Sequence, residues 1–70
     1  MMPLSLAQIG ETGEIKKITG KDEVRQHLAE LGFVVGASIT VISKIGDNMI
    51  LSVLDSRIAI DKSMTGRIMI

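Results

Sequence analysis

No cysteine, tryptophan or tyrosine occurs in this chain, and Phe33 is its only aromatic residue. The lack of cysteine removes disulfides and thiolate metal sites together and agrees with a reducing, cytoplasmic setting. With so little aromatic surface, Ile, Leu, Val and Met must fill the interior, and the platforms on which single-stranded nucleic acid stacks are missing. Excess charge is missing too. Eight basic residues balance eight acidic ones, and the two signs alternate along the sequence, so no phosphate-neutralising stripe forms and no nucleic-acid partner is expected. Mean hydropathy is high at +0.37. Even so, the uncharged stretch from Phe33 to Ser43 is interrupted by Gly36, Ser38 and Thr40 and falls short of the ~20 apolar residues of a membrane span. The N-terminal MMPLSLAQIGE has neither the basic region nor the apolar run of a secretory signal.

What is present is aliphatic density, 46% hydrophobic residues in 70, which is enough for one small core and so for a single domain over residues 1–70. The segment Asp22 to Gly36, DEVRQHLAELGFVVG, carries the only helical periodicity. Val24, Leu28 and Leu31 recur at the spacing that stacks side chains on one helix face. Asp22 is the better N-cap and Thr19 the weaker one. Gly32 supplies a left-handed stop, with Phe33 folding back onto Leu28. The predicted helix therefore runs over about 22–31.

Around it the pattern has a period of two. Pro3 to Ile9 reads as a lead-in with one helical turn. Glu14 to Ile18 reads as a first strand with a bulge or twist, because Lys16 and Lys17 break its alternation. Ser38 to Ile45 alternates cleanly, Gly46-Asp47-Asn48 turns the chain, and Met49 to Leu54 returns. Asp55-Ser56 turns again into Arg57 to Ile60, a helical turn is expected near 61–65, and Arg67 to Ile70 closes the chain. Turns at this spacing predict a small, strongly bent antiparallel barrel of about five short strands with one embedded helix.

Catalytic signatures are absent: one histidine, no phosphate-cradling glycine loop and no histidine pair at metal spacing. We therefore expect no enzyme and no resident cofactor. Glu23, His27 and Glu30 fall along one edge of the helix and are weak oxygen/nitrogen candidates for a divalent ion. A solvated helix edge is the commoner meaning of such a trio, and one edge rarely closes a coordination sphere. Lys16, Lys17, Lys21, Lys44 and Lys62 read as a solvated surface that discourages strand-to-strand aggregation. Ile42, Ile50, Leu54, Met64 and Met69 fall opposite the obvious core positions. Either barrel curvature buries both faces, or these residues form an apolar patch for a partner or a second copy.

The order L-x-x-I-G-E-x-G-x-I-x-x-I, from Leu6 through Ile9, Gly10, Gly13 and Ile15 to Ile18, is followed by R-x-x-L-x-E-L-G-x-x-x-G, from Arg25 through Leu28, Glu30, Leu31 and Gly32 to Gly36. Together these resemble the FeoA family of small cytosolic proteins associated with bacterial ferrous iron uptake. Asp55-Ser56-Arg57-Ile58-Ala59-Ile60 and Arg67-Ile68-Met69-Ile70 resemble its later strands. Two positions depart from the pattern. Val35 stands where the family often has proline, and Thr65-Gly66 where a small alanine opens the last strand. The resemblance implies a Src-homology-3-like barrel without catalysis. It further implies docking on the cytosolic part of a FeoB-type membrane transporter that carries a GTP-binding domain, and we expect no membrane insertion by this chain and a weak homo-oligomer through the apolar excess. For the docking contact, apolar residues with a charged rim, we put forward Arg25, Glu30 and Phe33 around the helix end, and Met64 in the last turn. The runner-up roles are a metal-responsive regulatory barrel, like the C-terminal domain of iron-dependent repressors, and a small RNA-binding barrel. The repressors' winged helix-turn-helix has no counterpart in this chain.

Overall fold

A computed structural model describes residues 1–70 as a mainly β molecule. A 3-10 turn at Leu4–Leu6 precedes β1 (Thr12–Glu14), β2 (Lys17–Ile18), α1 (Asp22–Glu30), β3 (Ser38–Ile45), β4 (Asn48–Val53), β5 (Ser56–Asp61), α2 (Lys62–Thr65) and β6 (Ile68–Met69). The order in the larger sheet is β1-β3-β4-β5, and β2 pairs with β6 in a second, two-stranded sheet. All of these pairings are antiparallel. The expected bent barrel with one embedded helix is therefore what forms.

The first strand differs from its expected form, and the difference makes the corner of the barrel. Thr12 to Ile18 is not one strand with a bulge but two that serve different sheets. Ile15, at the break, is 1% exposed. Its backbone is still paired, since its N–H donates to the Ala37 carbonyl and its carbonyl accepts from Gly36, both at 2.9 Å. One residue later the Lys16 N–H donates to the Met69 carbonyl of the other sheet at 2.7 Å. The two lysines that upset the alternation mark the place where the chain changes sheets. Gly13 lies just before it, where a Cβ would stand 3.0 Å from the Ile70 side chain, so the missing atom lets the C-terminus close over β1.

The core is aliphatic around one aromatic. Leu4, Ala7, Ile15, Leu28, Phe33, Ile39, Val41, Met49, Leu51, Val53, Ile60 and Ile68 are buried together. The alternating residues of β3 and β4 point in, and a register shift between Val41 and Ser43 bends β3. Ile42, Ile50, Met64 and Met69 are neither buried nor fully exposed, whereas Leu54 is open to solvent.

The helix begins without the expected cap. Lys21 occupies the N-cap with no side-chain bond, and Asp22 lies one position inside, paired with Arg25. Asp22 still places negative charge at the positive end of the helix, so its position serves the dipole and not the orphan amides. The far end follows the expected Schellman pattern: Phe33 N–H donates to Leu28 at 2.9 Å and Gly32 N–H to Ala29 at 3.0 Å, with Gly32 at φ 101°. In α2, Asp61 is the cap, accepting from the Met64 N–H at 3.0 Å and the Ser63 hydroxyl at 2.7 Å. Those bonds, the Ser63 hydroxyl first, hold its carboxyl below the ordinary 3.8. The turn before β5 is Leu54-Asp55, one residue earlier than expected, with Leu54 at φ 54°.

Candidate functional site

The Schellman stop turns the chain sharply after α1 and forces the next residues outward. Phe33 goes into the core, and Val34 and Val35 follow in a tight turn closed by the Ala37 N–H donating to the Val34 carbonyl at 3.0 Å. Val35 and Gly36 occupy the centre of that turn, with Gly36 at φ 94°. This is the arrangement that takes proline first and glycine second. The two valines are left 46% and 66% exposed.

Between this turn and α1 runs a shallow open groove of about 610 Å³, bordered by Ile18, Asp22, Arg25, Gln26, Ala29 and the turn itself. Ile18, Ala29, Phe33 and the two valines make most of its lining apolar, and the Asp22–Arg25 ion pair of α1 gives it a charged edge. An apolar centre ringed by polar groups is the form of a protein contact surface. Adjacent β-branched residues between two glycines were the signal in the sequence, because a turn cannot bury both.

Of the four residues put forward for partner contact, only Arg25 presents its side chain to this groove. Phe33 borders it but is 0% exposed, so it is corrected to a core residue: the bond from its amide to Leu28 aims the ring inward. Glu30 is exposed but does not border the groove, and Met64 is partly buried against the core in α2. Glu23, His27 and Glu30 are all exposed on α1, and nowhere do three histidine or carboxylate side chains converge as metal ligands.

The family model described as FeoA domain matches residues 2–70. The chain belongs to the FeoA family. It is 33% identical over all 70 residues to the Methanocaldococcus jannaschii protein described as Fe(2+) transport protein A, covering 85% of that protein. Among solved structures, the crystal structure of an iron uptake regulatory protein, FeoA, superposes with a TM-score of 0.89 at 37% identity, over 96% of this chain and 89% of the other. The zinc-complexed FeoA of Stenotrophomonas maltophilia, described as a procaryotic Src-homology-3 domain protein, gives 0.85 at 24% over 99% and 88%. A manganese-dependent transcriptional repressor matches in fold alone, at 14% identity and over 34% of its own length. The chain is therefore a FeoA protein with a Src-homology-3-like fold, associated with ferrous iron transport.

Proposed function

We propose that this FeoA protein is a cytoplasmic, non-enzymatic accessory of ferrous iron uptake that docks on the cytosolic portion of a FeoB-type GTP-binding membrane transporter. The role needs no resident metal. The observation that carries it is the groove: a largely apolar lining, two exposed valines held between Gly32 and Gly36, and a charged edge from the Asp22–Arg25 pair. No helix of the chain is long and apolar enough to cross a membrane.

Titrating the isotope-labelled protein with the transporter's cytosolic GTP-binding portion should shift the amide signals of Ile18, Arg25, Ala29, Val34 and Val35. Val35→Glu should weaken binding about tenfold or more, because it puts a charge on the contact centre, while stability changes by less than about 0.5 kcal/mol. Shifts confined to another face would refute the groove as the docking site. No association with the whole transporter in detergent would refute docking itself.

Val35→Pro is a separate prediction and an internal control. Proline presets the φ wanted at this turn position, and the Val35 N–H donates to no backbone acceptor. The variant should gain about 0.4–1 kcal/mol in urea unfolding, through the unfolded state, and keep its partner binding.

A further inference from the structure

β5 is an edge strand: it pairs with β4 on one side and with no strand on the other. A two-residue loop joins them, so the flanking Val53–Ser56 pair exchanges both of its backbone bonds, and the alternate pairs Leu51–Ile58 and Met49–Ile60 do likewise. The amides and carbonyls of Arg57 and Ala59 then face away from β4, and no turn, loop or cap bond uses them. Exposed edges of this kind are normally blunted by like charges, proline or a bulge, and the only charges of β5 are one of each sign, Arg57 and Asp61, toward its two ends. β5 has no proline or bulge, and its register with β4 runs unbroken from Asn48–Asp61 to Val53–Ser56.

Its sequence, Arg57-Ile58-Ala59-Ile60-Asp61, is charge-antisymmetric about Ala59. Arg57, Ala59 and Asp61 are exposed and share the outer face, while Ile58 and Ile60 turn toward the core. Along one strand Arg57 and Asp61 lie about 13 Å apart, too far to pair with each other. Neither takes part in any ion pair of the molecule. Asp61 uses one carboxylate oxygen, Oδ1, to cap α2. Its Oδ2 is free of such bonds.

We propose that β5 pairs antiparallel with β5 of a second copy about a two-fold axis at Ala59, joining the two sheets edge to edge. In this register Ala59 faces the partner's Ala59 and exchanges both backbone bonds with it, and a methyl is the largest side chain at the axis. Each Arg57 then lies directly opposite Asp61 of the other copy, so one self-complementary strand yields two cross-strand ion pairs. A parallel arrangement would set like charges side by side, and a shift by one residue would set Ala59 against Ile58, whose amide and carbonyl are already committed to β4. No residue of β5 borders the groove along α1, so self-pairing and transporter docking are separate surfaces. The contact is one short strand wide, well below the ~1,200 Å² at which stable dimers begin, so the dimer is weak and forms at high local concentration.

Sedimentation and amide spectra recorded from micromolar to millimolar protein test this. The expected result is a concentration-dependent dimer, with amide shifts centred on Arg57 to Asp61 and slowed hydrogen exchange at Arg57 and Ala59. Arg57→Glu sets carboxylates opposite each other twice per dimer and should weaken association about tenfold. Asp61→Asn removes the charge while keeping an oxygen that can cap α2, and should weaken it about threefold. Ala59→Pro deletes the central donor without touching the β4 ladder and should abolish association. If that variant fails to fold, Arg57→Glu carries the test alone. A chain that stays monomeric at millimolar concentration overturns the proposal, as does a dimer indifferent to Arg57→Glu or to a folded Ala59→Pro.

Discussion

Phe33→Ala is expected to destabilise the protein by about 3–5 kcal/mol, the range for truncating a buried aromatic. Phe33 is 0% exposed, the largest side chain in the core and its only ring. The other core members are aliphatic, so none can swing in to refill the space without leaving its own rotamer. A domain of this length has a total stability of roughly 4–10 kcal/mol, so the loss brings a large part of the population to the edge of unfolding. Urea denaturation measures it directly, and Phe33→Leu, which keeps much of the volume, should cost only about 1–2 kcal/mol. An alanine variant within 1 kcal/mol of the parent would show that the ring does not organise this core. The same burial governs interpretation of partner binding. A charged residue at position 33 would lose the partner by unfolding, whereas Val35→Glu loses it on a folded protein.

Most of the barrel was legible in the sequence wherever a local rule and the tertiary structure agree. Ser38 to Ile45 alternates because one face is buried, and the structure has β3 over the same residues. Val24, Leu28 and Leu31 recur at helical spacing because α1 lays that side on the sheets, with Leu28 buried and the other two packed against the core. What stayed hidden is what non-local pairing decides. Nothing in Glu14 to Ile18 reveals that Glu14 pairs with Ser38 while Lys17 pairs with Met69, so a sheet-switching corner reads as a strand with a bulge. The cap expected at Asp22 does not form, for a related reason. Its carboxylate had two local uses, and the pair with Arg25 took it from the orphan amides. At the candidate site, position beyond the helix end pointed at Phe33, yet the Schellman bond that carries the chain back also drives this residue inward. The two valines after it inherit the exposed place, and of the residues put forward for contact only Arg25 offers an exposed side chain at the groove they make with α1.

Gly32→Ala should cost about 1–2 kcal/mol, a fall in melting temperature of roughly 4–16 °C for a domain this small. Two causes act at this position, and they can be separated. The backbone is at φ 101°, where an L side chain meets its own carbonyl, and this cost is local to residue 32. The second is crowding, since an added Cβ would stand 3.2 Å from Leu54 Cδ1 and 3.7 Å from Val53 Cγ1. Leu54 is 76% exposed at the tip of its turn, so its side chain can move aside. Val53 is buried but already at ordinary contact distance. The backbone term should therefore dominate, and a double-mutant cycle decides it. In a Leu54→Ala background, Gly32→Ala should cost the same to within about 0.5 kcal/mol, because the cycle removes only the crowding. A substantially smaller cost in that background would make the contact with Leu54 the cause, and the glycine a packing requirement instead of a conformational one. The distinction bears on the groove, because the turn at Gly32 sets the direction in which Val34 and Val35 leave the helix. If the backbone term dominates, Gly32→Ala should disturb the proposed docking along with stability. Leu54→Ala, which leaves residue 32 free to hold its conformation, should preserve it.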